Sequence, residues 1–134
     1  MKLEKSNSVP SIGQNSKFPA MALGLSLAMA GPIFGATLWT GADGDGLWNT
    51  AANWDNGLPV TSSDILNGDT VTLSGTKGNS HSLDIQGGST LNIDTDLEMG
   101  DDLRLNNGTV NMNAGVLDQG EKFKLINGTF FMNG

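Results

Sequence analysis

The sequence repeats itself about every 20 residues, an interval typical of proteins built from stacked units. Four glycines recur in this way, and an apolar residue stands three positions before each of them: Ile65 and Gly68, Ile85 and Gly88, Leu105 and Gly108, Leu125 and Gly128. Stacked units of this kind cover one another's apolar faces. The repeat therefore constrains the fold more strongly than any other feature of the chain.

Each unit contains short segments in which apolar and polar residues alternate, as in a strand with one buried face. The segments of one side are Leu83–Ile85, Leu103–Leu105 and Phe123–Leu125, those of a second are Val71–Leu73, Leu91–Ile93, Val110–Met112 and Phe130–Met132, and those of a third are Leu97–Gly100 and Leu117–Gly120. One repeat of extended chain reaches about 65 Å, enough for three short sides and three corners of a closed coil.

These segments predict an all-β fold, a right-handed parallel β-helix (β-solenoid) of about 20 residues per coil with an N-terminal Trp-rich cap. Right-handedness follows from the usual sense of parallel crossovers. One slip is present, since Leu91 and Val110 are one residue closer together than the repeat requires, and the extra residue reappears within residues 114–116. A leucine-rich-repeat horseshoe shares the period, but no part of the unit has helical spacing.

The chain divides into three predicted regions: a signal peptide at residues 1–36, a cap segment at residues 37–62, and β-helix coils at residues 63–134. Lys2, Lys5 and Lys17 precede an uncharged run whose apolar centre is Ala20–Ala30, which is typical of a secretory signal. An uncleaved membrane anchor is the alternative, and only this segment is expected to meet a membrane. We expect the coil region to be a fragment of a longer gene product, or else to associate end to end.

The charge of the chain excludes nucleic acid as an expected partner. Beyond residue 30 there are 13 acidic and 4 basic side chains, and such a surface repels polyanions. The chain has no Cys, which excludes disulfides and thiolate metal sites.

Three tryptophans, Trp39, Trp48 and Trp54, stand just before the repeat. They are candidates for stacking on sugar rings, since flat aromatic faces suit such ligands. Their position favours a different role, as a lid that covers the open end of the first coil.

The tryptophans belong to the pattern Trp-x-Gly-x-x-x-Asp-Gly-x-Trp-Asn-x-Ala-x-Asn-Trp-x-x-Gly-x-Pro over residues 39–59, which is followed by Gly/Asn-rich strands. This part of the chain resembles the N-terminal portion of bacterial secreted β-helix surface proteins, of the autotransporter-associated β-strand or PEP-CTERM-sorted type. The resemblance is strong over residues 37–76 and generic in the coils. It implies a secreted or cell-surface, outer-membrane-associated bacterial protein. No translocator barrel or sorting tail is recognisable here.

Acidic residues suggest one candidate metal site. Asp94, Asp96 and Glu98 alternate along the chain, and the repeat places Glu98 one coil below Asp118. Stacked carboxylates repel one another unless a cation or proton lies between them, so these four residues are candidate calcium ligands. No other cofactor is expected.

Two further motifs have simpler interpretations. Asp43-Gly44-Asp45-Gly46 imitates half of a calcium loop but lacks the remaining ligands, which favours an acidic turn. His81, the one histidine, is expected to be a loop residue in a corner at residues 77–82.

The sequence favours a non-enzymatic structural or adhesive protein of the cell surface or extracellular matrix, since repetition provides length and regular polar faces. Its expected partners are polysaccharides or cell-surface components. The alternative is a polysaccharide-binding module or a carbohydrate-active β-helix enzyme that uses the acidic side.

Overall fold

The structure is a computed structural model and describes residues 35–134. The predicted signal peptide lies outside the described residues, apart from positions 35 and 36. Twelve strands and a 3₁₀ turn at Ala51–Asn53 form the regular secondary structure of the described part. The strands are β1 (Thr37–Leu38), β2 (Ser63–Ile65), β3 (Thr70–Leu73), β4 (Gly78–Ser80), β5 (Leu83–Gln86), β6 (Thr90–Ile93), β7 (Leu97–Met99), β8 (Leu103–Asn106), β9 (Thr109–Met112), β10 (Leu117–Gln119), β11 (Phe123–Ile126) and β12 (Thr129–Met132).

The strands form three parallel sheets. The first has the order β1-β2-β5-β8-β11, the second β3-β6-β9-β12 and the third β4-β7-β10. From β2 onward, consecutive strands belong to the first, second and third sheets in turn, so the chain completes one circuit in each repeat. The fold is therefore a parallel β-solenoid of about four turns, as the repeat predicted.

The inward apolar residues stack in ladders along the solenoid. In the first sheet Ile85 pairs with Ile65 on one side and with Leu105 on the other, and Leu105 pairs with Leu125. The first three of these side chains are completely buried. Each buried aliphatic side chain contributes roughly 1.5–3 kcal/mol, but only while neighbouring coils cover it. Each coil therefore depends on its neighbours for stability.

The predicted slip in the repeat is confirmed. Thr90 pairs with Thr109, and Thr109 pairs with Thr129, so the first step along the chain is one residue shorter than the second. The corner between β9 and β10 holds one residue more than the corresponding corner between β6 and β7. Corners absorb the difference because they carry no inward ladder residues.

The prediction of a corner at residues 77–82 is wrong in part, because Gly78–Ser80 forms strand β4. This strand pairs with β7 and belongs to the third sheet. It has no large apolar residue because the side chain of Leu73 occupies its interior space. A β-carbon on Gly78 would lie 2.7 Å from a methyl carbon of Leu73. Because Leu73 fills this space from across the coil, β4 needs no large inward side chain. The alternation of apolar and polar residues is therefore missing from this part of the sequence.

The first coil also contains a buried polar pair. The hydroxyl oxygens of Ser63 and Ser80 lie 2.7 Å apart. The Ser80 hydroxyl is also within hydrogen-bond distance of the carbonyl oxygens of Thr61 and Ser82. These contacts satisfy both hydroxyls, so the small interior of this coil accommodates them at little cost.

The corner that follows the first sheet has the left-handed backbone expected of Asn and Gly. Its residues are Asn67, Gly87, Asn107 and Asn127, with φ angles of 68°, 63°, 59° and 53°. Asn tolerates this region better than other residues with a side chain. The regular spacing of these positions therefore marks the same turn in each coil.

Candidate functional site

The predicted acidic residues lie mainly on the third sheet and the corner before it. Glu98 of β7 pairs with Asp118 of β10, which confirms that these residues stack. Asp96 lies one residue before β7 and is exposed, as are Glu98 and Asp118. Together with Lys77, Leu97 and Val116, these three carboxylates line a cleft of about 140 Å³. We call this set of residues the acidic face.

A cation from the chain itself lies on the acidic face. The ammonium group of Lys77 donates a hydrogen bond to a carboxylate oxygen of Glu98. This bond raises the pKa of Lys77, and the charges of Glu98, Asp96 and Asp118 raise it further. The stacked carboxylates are thus balanced in part by Lys77. Both partners are about half exposed, so solvent screens the pair and it contributes little to stability.

Two of the four predicted calcium ligands support corners. An oxygen of Asp94 accepts a hydrogen bond from the side-chain amide of Asn113 at 2.8 Å, and an oxygen of Asp96 accepts one from the backbone N–H of Val116 at 2.8 Å. Calcium requires six to eight oxygen ligands. Here oxygens of Asp94 and Asp96 already accept hydrogen bonds from N–H groups, and an oxygen of Glu98 accepts one from an ammonium group. The face fits a calcium ion poorly, and the calcium site stays a prediction.

A second acidic group was not predicted. Within residues 35–134, one carboxylate oxygen from each of Asp101, Asp102 and Glu121 lies within 4.8 Å of the others. The sequence signal available for it was that Asp101 and Glu121 are one repeat apart. One oxygen of Asp102 is buried without a hydrogen-bond partner, and the other lies 3.9 Å from Arg104. Because exposed carboxylates often gather without an ion, their proximity alone does not define a metal site.

A cleft of about 290 Å³ lies beside this group on the first sheet. It is lined by Ala36, Ser62, Ser63, Asp64, Ser82, Asp84, Asp101, Asp102 and Arg104. Partial burial raises the pKa of Asp64, the neighbouring charge of Asp84 raises it further, and Arg104 acts in the opposite direction. The guanidinium of Arg104 lies 3.4 Å from Asp84. The pairing of the strands continues this ladder of charges along the sheet, since Lys124 follows Arg104 in the next coil.

The three tryptophans form one buried cluster. Trp54 packs edge-on against both Trp39 and Trp48, with ring centroids 5.0 and 4.8 Å apart. Its indole N–H donates to the carbonyl oxygen of Trp48 at 2.8 Å. All three are at most 4% exposed, so this structure presents none of their faces to a sugar. The arrangement is that of a lid, as their position before the repeat indicated.

Hydrogen bonds join the Asp43–Gly46 turn to the segment that carries the tryptophans. The carboxylate of Asp45 accepts hydrogen bonds from the backbone N–H of Leu47, the hydroxyl of Thr50 and the amide of Asn53. The Thr50 hydroxyl is the main cause of the lowered pKa of Asp45. Through these bonds Asp45 stabilises the conformation of the cap segment, as expected of an acidic turn.

His81 follows β4 in a corner and is exposed, as predicted for a loop residue. Its Nε2 lies 3.9 Å from a carboxylate oxygen of Asp101. Nothing in this geometry gives it a nucleophile or a second histidine to act with among its described neighbours.

Comparison with protein-family models, with curated proteins and with solved structures finds no match to this chain. The class that the architecture defines is the parallel β-solenoid. Within residues 35–134, no helix has the length and apolar character needed to cross a bilayer.

Proposed function

We propose that this chain is an exported, non-enzymatic structural or adhesive protein of the bacterial surface or extracellular matrix. The observation that carries the proposal is the arrangement of outward side chains on the second sheet and its following corner. They bond to their equivalents in the next coil instead of converging on a pocket. The ladder on the second sheet extends over two coils and the ladder in the corner over three, and a repeated polar surface of this kind suits extended contact.

Two ladders have this arrangement. The amide of Asn111 donates to the side-chain oxygen of Asn92 at 2.8 Å. In the corner that follows, the amide of Asn133 donates to Asn113 at 2.9 Å, and Asn113 donates to Asp94. Each bond links neighbouring coils, so the ladders fix the positions of polar groups along the solenoid. A ligand with its own repeat, such as a polysaccharide, matches a surface of this kind.

The charge and the leader sequence supply the rest of the proposal. Residues 35–134 carry 13 acidic and 4 basic side chains, which favours partners other than nucleic acid. The predicted signal at residues 1–36 directs the chain out of the cytoplasm, and the resemblance in residues 37–76 supports a place among secreted surface proteins.

Export is tested by expressing the full chain in a bacterium beside a variant that lacks residues 2–36. We expect the full chain in the periplasmic, surface or secreted fraction and the shortened variant in the cytoplasm. Mass spectrometry of the exported product locates the cleavage site. Equal distribution of both forms would contradict export.

Adhesion is tested by binding of the folded protein to immobilised bacterial surface polysaccharides. The variant Asn92→Glu/Asn111→Glu places repelling charges on the second sheet and should lose binding, whereas the matched variant Asp84→Asn on the first sheet should keep it. Equal binding by both variants would exclude the asparagine ladder as the contact surface.

The acidic face supports a second candidate, a polysaccharide-binding module or carbohydrate-active enzyme. Its supporting observation is the basic Lys77 among three carboxylates in a cleft of about 140 Å³. Incubation with acidic polysaccharides and calcium separates the candidates. Unsaturated products that disappear in Lys77→Met would establish the enzyme, and their absence is the outcome expected of a structural protein.

A further inference from the structure

Asparagine followed by glycine is a pair in which the backbone nitrogen of the glycine can attack the preceding side chain, because glycine has no side chain to hinder the approach. The chain contains this pair at Asn56 in the cap and at Asn67 and Asn107 in corners between coils, among other places. All three asparagines are exposed. Local sequence and exposure therefore do not distinguish them. The hydrogen bonds of the peptide group that follows each asparagine do.

The peptide groups that follow Asn67 and Asn107 are bonded to neighbouring coils. The N–H of Gly68 donates to the hydroxyl of Ser89 at 3.1 Å, and Ser89 is completely buried. The carbonyl oxygen of Asn107 accepts a hydrogen bond from the N–H of Gly88 at 2.7 Å. Attack on the asparagine side chain requires this peptide group to rotate. At either corner a bond between coils must therefore break first.

The peptide group between Asn56 and Gly57 has no such restraint. Within residues 35–134, neither the carbonyl oxygen of Asn56 nor the N–H of Gly57 makes a hydrogen bond. A β-carbon on Gly57 would meet no atom within 4 Å beyond its chain neighbours, so the space around this glycine is open. This peptide group can rotate while the coils stay paired.

We propose that Asn56 is a site of spontaneous modification, converted in the folded protein to aspartate and isoaspartate, and that this conversion loosens the cap. The nitrogen of Gly57 attacks Cγ of Asn56, and a cyclic succinimide forms as the Cγ–Nδ2 bond breaks. Nδ2 leaves as ammonia and takes the proton of the Gly57 amide. Water then opens the ring. Cleavage of the bond between the nitrogen and Cγ gives aspartate, and cleavage of the bond to the backbone carbonyl carbon gives isoaspartate.

The product differs from Asn56 at a contact that supports β1. The side-chain amide of Asn56 donates to a carboxylate oxygen of Asp55 at 3.0 Å, and the same oxygen accepts a hydrogen bond from the N–H of Leu38 at 2.8 Å. The N–H of Asp55 donates to the carbonyl oxygen of Leu38 at 3.0 Å. Aspartate at position 56 replaces the amide donor by a second negative charge. Isoaspartate also lengthens the turn by one backbone carbon. Both changes weaken the contact between Asp55 and β1.

Peptide mapping by mass spectrometry tests the site, after incubation of the purified full chain at mildly alkaline pH. Each conversion adds one mass unit. Asn56 should react at least about tenfold faster than Asn67 and Asn107, which corresponds to about 1.4 kcal/mol for opening a corner. In concentrated urea, where the coils are unfolded, the three rates should converge. Equal rates in the folded protein, a faster corner, or a difference that persists in urea would overturn the proposal.

A matched variant tests the effect on the cap. Asn56→Gln keeps an amide at this position, but its attack would need a larger ring, so residue 56 should gain no mass. The melting temperature of the unsubstituted protein should fall by about 2–6 °C once residue 56 is converted, and that of Asn56→Gln should fall less over the same time. Equal falls would overturn the effect on the cap. Fragmentation by electron transfer identifies isoaspartate, and aspartate alone would exclude the succinimide. These readouts are independent of export, adhesion and enzymatic activity.

Discussion

Leu105 lies directly beneath Leu125 in the parallel register of β8 and β11, yet Leu105 is completely buried and Leu125 is half exposed. The two residues occupy the same position of the repeat. Only the presence of a covering coil distinguishes them. The burial of a side chain in this fold is therefore decided by the neighbouring coil, and a substitution has different effects in a middle coil and in the last described coil.

The same pair gives a stability prediction. Leu105→Ala removes a side chain enclosed between two coils and should lower the free energy of unfolding by about 2–5 kcal/mol. Leu125→Ala removes a half-covered side chain and should cost about 1 kcal/mol. Urea denaturation of the two variants measures the difference. Equal losses would contradict the observed difference in covering.

Gly108 should not tolerate a side chain. A β-carbon at this position would lie 2.4 Å from the carbonyl oxygen of Ile85 in the coil below, so Gly108→Ala must separate two backbones. We expect a loss of about 1–3 kcal/mol. The control is Asn107→Gly, which keeps the left-handed corner and should change stability by less than about 1 kcal/mol. Thermal unfolding compares the two, and a neutral Gly108→Ala would count against the close stacking of corners.

The cleft on the first sheet predicts a pH-dependent effect at Asp64. Burial and Asp84 raise its pKa above the ordinary 3.8 in the folded state. The folded protein therefore holds this proton more tightly, and stability decreases as pH rises from 3.8 through the folded pKa. Asp64→Asn should thus raise the melting temperature at neutral pH, and its advantage should shrink as pH falls from the folded pKa toward 3.8. Asp43→Asn, at an exposed position of the cap, serves as the control, and an advantage that grew in acid would refute the explanation.

The lid contains a buried hydrogen bond between two tryptophans, Trp54 and Trp48. Trp54→Phe keeps much of the aromatic packing but leaves the carbonyl oxygen of Trp48 without its donor. We expect a loss of about 1–3 kcal/mol, because a buried polar group then lacks a partner. Near-ultraviolet circular dichroism should lose the signal of the coupled indoles. An unchanged unfolding curve would show that this bond does not stabilise the cap.

The sequence predicted the solenoid because its inward residues are large and recur at a fixed interval. The ladder from Ile65 to Leu125 is visible in this way, and so is the position of Glu98 below Asp118. Strand β4 was not predicted for the opposite reason, since Gly78 contributes no side chain and Leu73 fills the space across the coil. Small residues in a strand resemble those of a corner.

The candidate site was less predictable than the fold. In β4, the strand that the sequence did not predict, Gly78 pairs with Leu97. These two residues are one residue closer along the chain than the usual repeat interval. This pairing brings Lys77 beside the acidic face, where the sequence had suggested a metal ion. The counterion could be found only with the third sheet in place, because the separation of Lys77 and Glu98 along the chain differs from the repeat interval.

The stacking of coils in register is tested most directly by engineered disulfides, since the chain has no native cysteine. Asn92 and Asn111 are paired neighbours on the outer face of the second sheet. In Asn92→Cys/Asn111→Cys the two α-carbons should lie about 4.8 Å apart, which suits a disulfide. We predict an intramolecular bond under mild oxidation in this variant and none in Asn92→Cys/Val110→Cys, whose side chains point to opposite faces. A disulfide in the second variant, or none in the first, would contradict the parallel solenoid.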